Sequence, residues 1–234
     1  HDNLSVQVHP SEAYAVKNPK THLKSEAWVI LESTPQGRIY LGLKDGTTEK
    51  ILRESIESDS VPELLHAIDV KPGECYFLPS GTCHALGAGV LVAEVQTPSD
   101  TTFRLWDWGR TGRTMHVDQA MECIDFESEL SQIEVPTPMH CGPFETTNLV
   151  DTPFFSIERI TALHDASMEI VVDQDSPAVL MVVEGHASIE HEHGVDAAKG
   201  TTVLLPTSVQ HATLQLEQDT TVLRFDVPTT TKIA

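Results

Sequence analysis

The stretch Gly73-Glu74-Cys75-Tyr76-Phe77-Leu78-Pro79-Ser80-Gly81-Thr82-Cys83-His84 decides the fold, because it occurs twice. The second copy is Gly200-Thr201-Thr202-Val203-Leu204-Leu205-Pro206-Thr207-Ser208-Val209-Gln210-His211, with Gly, Leu-Pro and His at the same offsets. In each copy the Gly turns the chain into a strand. The Leu-Pro ends that strand, because proline has no amide hydrogen to donate to a ladder. The His then opens the next strand. Further upstream, Trp28-Val29-Ile30-Leu31-Glu32 parallels Leu180-Met181-Val182-Val183-Glu184, and both lead through a Gly-containing turn into another strand. A repeat of this kind marks a duplicated structural unit. Two related β-barrels in tandem are expected, over residues 1–135 and 136–234, with the boundary near Pro136-Thr137-Pro138.

Working outward, the same β character continues. Apolar runs centred on residues 27–31, 38–42, 75–78, 90–95, 155–160, 179–183, 187–190, 203–205 and 222–225 read as short strands between Gly and Pro turns. Many short strands so punctuated predict an all-β sandwich or barrel. Helix signals are few: 48–58, with Ile51, Leu52 and Ile56 at helical spacing; a capping-box pattern at Ser60-Val61-Pro62-Glu63; and 117–124. They read as insertions on a β scaffold. The chain opens His1-Asp2-Asn3 and runs directly into the strand pattern Leu4–Val8, as a sequence entered part-way through a domain would.

Composition limits the partners. The 234 residues hold 15 Lys+Arg against 35 Asp+Glu, a net charge of −20. That argues against nucleic acid, whose phosphates are read by Lys and Arg, and against an anionic membrane surface. No apolar run approaches the roughly 20 residues that span a bilayer. Cys75, Cys83, Cys123 and Cys141 form no Cys-x-x-Cys pair. They read as half-buried structural thiols, and four unpaired thiols suit a reducing cytoplasm.

The first copy of the repeat carries a set of metal-type donors. In a strand, Gln7 and His9 share a face. Glu26 heads the next strand and His84 closes the repeat motif. Imidazole and carboxylate are good zinc ligands, and an amide carbonyl can add a fourth. The second copy acts as an internal control. The offset of Trp28 to Leu180 puts Ala178 where Glu26 stands, so His211 keeps its place but lacks that carboxylate, and the second barrel is expected to hold no metal through this arrangement. The segment His191-Glu192-His193 reads as a solvated loop.

Four ordered motifs then resemble a known family: Leu4-Ser5-Val6-Gln7-Val8-His9-Pro10; Lys24-Ser25-Glu26-Ala27-Trp28; Pro79-Ser80-Gly81-Thr82-Cys83-His84-Ala85-Leu86-Gly87; and Glu94-Val95-Gln96 followed by Ser99-Asp100-Thr101-Thr102-Phe103-Arg104-Leu105-Trp106-Asp107-Trp108-Gly109-Arg110. They are similar to the type I mannose-6-phosphate isomerases of the short bacterial branch, in the cupin superfamily. The likeness is detailed over most of residues 1–126 and looser beyond. It implies a tandem cupin of jelly-roll barrels, and a zinc-dependent aldose–ketose isomerase acting on mannose 6-phosphate and fructose 6-phosphate through a cis-enediol.

The resemblance also implies roles. Gln7, His9, Glu26 and His84 match the metal ligands, for one zinc ion per chain. Lys24 matches the lysine two places before the ligand Glu, and Glu94 and Arg104 match the family's acidic residue and arginine. Glu94 is suited to proton shuttling, Arg104 and Lys24 to stabilising charge on the substrate. The alternative for Arg104 is a salt bridge to Asp100 or Asp107; Arg110 and Lys44 are weaker phosphate candidates. Family members carry a further N-terminal stretch before the first motif, so the first barrel is expected to lack strands here. Two other functions fit the residues: another metal-dependent cupin isomerase, epimerase or oxygenase, and a non-catalytic sugar-phosphate-binding module. The first would show itself by oxygen consumption or a different sugar, the second by binding without turnover.

Overall fold

A computed structural model describes residues 2–127, 136–192 and 194–228. The chain divides into two compact units, residues 1–134 and 135–234.

The first unit contains, in chain order, β1 (Val6–Val8), α1 (Glu12–Lys17), β2 (Glu26–Ser33), β3 (Arg38–Leu43), α2 (Glu49–Glu57), β4 (Leu65–Asp69), β5 (Cys75–Leu78), β6 (His84–Leu86), β7 (Val90–Gln96), β8 (Phe103–Trp106) and α3 (Val117–Cys123). Two antiparallel sheets result, of orders β4-β3-β6-β1-β8 and β5-β2-β7. Between them Trp28, Ile30, Ile39, Leu41, Tyr76 and Leu78 form a buried core. The other face of the five-stranded sheet carries Val6, Val8, Ala85 and Leu105, which are buried with Leu52 of α2 and Met121 of α3. This sheet is therefore apolar on both faces, and the donors of the first motif alternate with Val6 and Val8 on the inner one.

The helices follow local chemistry. Thr48 caps α2 by accepting from Ile51 N at 3.3 Å, and Ser11 caps α1 by accepting from Tyr14 N at 3.2 Å. The capping-box pattern at Ser60 yields less than its sequence suggests. Val61–Leu64 is one 3-10 turn without a side-chain cap, because the chain enters β4 at Leu65 before a second turn can form.

The second unit contains β9 (Met139–Cys141), β10 (Phe144–Asp151), β11 (Ser156–Ala162), β12 (Ala166–Val171), β13 (Ala178–Glu184), β14 (His186–Glu190), β15 (Val195–Ala198), β16 (Thr202–Leu205), β17 (His211–Leu216) and β18 (Thr221–Asp226). They form sheets of orders β16-β13-β18-β11-β10-β9 and β12-β17-β14-β15 around a core that includes Ile160, Leu180, Val182, Ile189, Leu214 and Val222. The repeat is visible in the pairing. β2 lies between β5 and β7 with Glu26 opposite Leu78 and Gln96, and β13 lies between β16 and β18 with Ala178 opposite Leu205 and Asp226.

His211 departs from the expectation of an equivalent place. His84 is 1% exposed and faces inward, whereas the His211 side chain is 64% exposed and has a carboxylate partner of its own, Glu169 Oε1 at 2.7 Å. The inward residues of β17 are Ala212, Leu214 and Leu216. The turn explains the difference. Gly81 takes φ +89°, and a Cβ there would stand 2.9 Å from Cys123 O. The second copy has Ser208 at that point, and makes a 3-10 turn over Thr207–Val209 with Gln210 at φ 52°. The strand that follows therefore starts with His211 turned outward.

Cys83 and Cys123 are buried and Cys75 half-buried, while Cys141 is exposed on β9, an edge strand, and not half-buried as expected. Among the described residues no helix is long and apolar enough to cross a membrane.

Candidate metal centre

Three of the predicted donors converge. His9, Glu26 and His84 are each at most 2% exposed, and their ligand-type atoms lie within 4.8 Å of one another. No other such group occurs among the described residues. Glu26 comes from the head of β2 in the three-stranded sheet. His84 opens β6 and His9 follows β1, both in the five-stranded sheet. The pairing Gln7↔His84 aligns the two strands, and alternation along β1 then carries His9 to the same face.

The two imidazoles are oriented from behind. His9 Nδ1 lies 3.1 Å from Thr101 O, and His84 Nδ1 lies 2.9 Å from Thr82 O. A carbonyl only accepts, so each Nδ1 carries its hydrogen and each Nε2 points into the site. His9 Nε2 stands 2.9 Å from Glu26 Oε1, yet it is buried and makes no aligned hydrogen bond. His84 Nε2 is 3.6 Å from Glu26 Oε2. Lone pairs turned toward a carboxylate call for a cation among them. The donor set, two imidazoles and one carboxylate, suits zinc and also iron.

Electrostatics agree with this arrangement. Burial, reinforced by the nearby His9, pushes His84 down to about 4, so the ring is neutral and its lone pair available near neutral pH. Burial alone would raise Glu26. The neighbouring His9 and His84 rings and the Lys24 ammonium outweigh it and hold the carboxyl well below the usual carboxylate range.

The remaining predicted residues group around this triad. Gln7 Nε2 lies 3.3 Å from His84 Nε2, and turning the amide would present its carbonyl oxygen instead. Lys24 is buried, with Nζ 2.6 Å from Glu26 Oε1. Glu94 pairs across β2 with Trp28, one inward position beyond Glu26. Much of Glu94 is exposed, but desolvation of its carboxyl group, together with the charge and hydrogen bond of Glu26, pushes it up to about 7.

Arg104 stands opposite Gln7 on β8. It makes no salt bridge to Asp100 or Asp107 among the described residues; its Nε donates to Ser5 Oγ at 2.8 Å and its Nη1 to Thr114 O at 3.1 Å. Arg110 pairs with Asp107 at 2.6 Å, and Lys44 donates to Glu63 O. His193 lies outside the described residues. Sequence reasoning gave no role to Ser5, Thr82 or Thr101, although all three lie within the quoted motifs, nor to Arg113, and it named Asp107 only as an alternative partner of Arg104.

Comparison with known proteins adds a second line. The chain is 35% identical over 215 residues to mannose-6-phosphate isomerase ManA of Bacillus subtilis, covering 87% of this chain and 65% of that protein. It is 30% identical over 218 residues to mannose-6-phosphate isomerase of Streptococcus mutans, covering 90% of this chain and 66% of that protein. The chain thus spans just under two thirds of the length of these relatives. In structure it matches a mannose 6-phosphate isomerase from Bacillus subtilis with a TM-score of 0.83 at 26% identity, over 96% of this chain and 71% of that one. A phosphomannose isomerase variant from Salmonella typhimurium shares the fold, with a TM-score of 0.72 at 16% identity, over 97% of this chain and 76% of that one. No family model matches the chain.

Proposed function

We propose that the chain is a member of the mannose-6-phosphate isomerase family and that it interconverts mannose 6-phosphate and fructose 6-phosphate with a zinc ion held by His9, Glu26 and His84 and completed by Gln7. One observation carries the reading: in a chain with these relatives, two imidazoles and a carboxylate meet in a dry site with Lys24 bonded to one of them and Glu94 beside them. When bound, zinc supplies a Lewis acid that stabilises negative charge on the sugar's C1 and C2 oxygens.

The other tasks fall to the chain. The isomerisation moves a proton from C2 to C1 through a cis-enediol, while a proton leaves the C2 hydroxyl and one joins the C1 oxygen. Glu94, raised to about 7, is suited to take a carbon-bound proton as carboxylate and return it as acid at the same pH. Lys24 is held by Glu26 next to where oxyanion charge develops, and its ammonium lowers the cost of that charge. Arg104 adds a fixed cation on the same side of the sheet as Gln7 and His84. For a protein of net charge −20, these cations offset the long-range repulsion of a phosphorylated sugar.

A panel of sugar phosphates in a coupled assay tests the reading. Turnover of mannose 6-phosphate that is abolished in Glu94→Gln, with metal content unchanged, is expected. Oxygen consumption with mannose 6-phosphate untouched, or binding of sugar phosphates without turnover, would replace it with one of the alternatives.

A further inference from the structure

An arginine helps a reaction only when its guanidinium is aimed, and a long side chain is free to swing unless something holds it. Arg104 is held at two of its three guanidinium nitrogens. Its Nε donates to Ser5 Oγ and its Nη1 to Thr114 O, while Nη2 makes no hydrogen bond among the described residues.

The acceptor at Nε is a hydroxyl, which could equally have donated. Its direction is set from behind. Ser5 Oγ lies 2.6 Å from Asp107 Oδ1, and a carboxylate only accepts, so the single hydroxyl proton goes to Asp107. The lone pairs of Ser5 are then left for N–H donors. Two arrive: Arg104 Nε at 2.8 Å and Arg113 Nη1 at 3.0 Å. Ser5 and Asp107 are each 3% exposed, so water does not compete for these bonds. Asp107 remains ionised: burial pulls its carboxyl up, but the bonds from Arg110 and Ser5 hold it below the ordinary carboxylate range. Arg113 Nη1, 3.3 Å from Asp107 Oδ1, ties the same two groups together from outside.

We propose that Ser5 and Asp107 are positioning residues for Arg104: Asp107 fixes the direction of the Ser5 hydroxyl, and Ser5 fixes Nε of the guanidinium, so that its unbonded Nη2 is presented on the side of the sheet that carries Gln7 and His84. The role in turnover rests on the isomerase reading above; the fixing of Arg104 does not. The relay is directional. Ser5→Ala removes the acceptor while leaving Arg104 and Asp107 in place. Ser5→Thr keeps the hydroxyl. Asp107→Asn offers the hydroxyl a donor or an acceptor, and so releases its direction.

The test uses the full chain loaded with zinc and combines the Arg104 Nε–H signal in ¹H–¹⁵N spectra with steady-state kinetics. In the wild type this signal is resolved and protected from solvent exchange. In Ser5→Ala it exchanges at least about tenfold faster, and in Ser5→Thr it stays protected. In parallel, kcat falls about 100-fold in Ser5→Ala with KM and metal content within about threefold, the size of loss expected when a catalytic group is misaimed by about 1 Å, and Ser5→Thr restores most of it. An Arg104 signal unchanged in Ser5→Ala overturns the proposal, whatever happens to kcat. If the signal behaves as expected while the wild type leaves mannose 6-phosphate unchanged, the positioning stands and the isomerase reading falls.

Discussion

Zinc, if held by His9, Glu26 and His84 as proposed, would stabilise the unit that owns those residues. All three lie in the first unit, at one end of the core that contains Trp28, Ile30 and Leu41. At free metal about 100 times Kd, binding to the native state alone adds about 2.7 kcal/mol. Over the 134 residues of that unit, an unfolding entropy of about 2.1 cal/mol/K per residue gives about 0.28 kcal/mol/K, so the melting transition rises by about 10 °C. Hydrogen exchange resolved along the chain is the sharper assay. Amides of β2 and β6 that exchange through unfolding of the first unit gain about 100-fold in protection. Each variant is compared with and without metal, so the cost of the substitution itself cancels. His84→Ala removes the gain. A gain that survives His84→Ala would refute the assignment of the site.

Two further outcomes follow from the packing and the charges. Leu214→Ala, at a position 1% exposed in the second core, costs about 2–5 kcal/mol of that unit's stability, as denaturation curves of the variant and the wild type will show. Asp107, held below its ordinary 3.8, contributes stability in full above that pH and loses it as pH falls through the lower folded value. Asp107→Asn therefore flattens the acid limb of the stability curve below about pH 4, which a urea titration at several pH values measures; an unchanged limb would show that the pairing with Arg110 and Ser5 carries no net stabilisation.

How much of this was legible in the sequence depends on how local the signal is. The strand Cys75–Leu78 coincides with its sequence reading, because a glycine and a proline bracket it. The cores of β2, β7, β13 and β18 are likewise readable as apolar runs, and the structure extends each by one to three residues. The six-residue α1 escaped because it is too short for helical periodicity to register; its signal was Ser11 after Pro10, followed by Glu12. Sheet-edge strands such as β9 and β15 are largely exposed and carry little apolar pattern.

The metal triad was legible for a different reason. Alternation in β1 and the repeated Leu-Pro and His offsets place three donors relative to short strands, and only the pairing of those strands had to be supplied. The error at His211 shows the limit of that reasoning. Equal offsets in sequence do not give equal directions in space when Gly81 at φ +89° is replaced by Ser208 in a 3-10 turn. The Ser5–Asp107 contact joins residues 102 apart, and no local pattern announces it. Arg104 was read as either a substrate-facing cation or a partner of Asp107; the structure links it to Asp107 through Ser5.

The central claim is that this chain isomerises mannose 6-phosphate with a metal held by His9, Glu26 and His84. Its most direct test is a coupled mannose-6-phosphate isomerase assay on the chain stripped by a chelator and then titrated with zinc. The account predicts that activity vanishes on stripping, returns with about one zinc per chain, and does not return in Glu26→Gln. Activity that survives thorough removal of metal, or that zinc restores equally in Glu26→Gln, would contradict it.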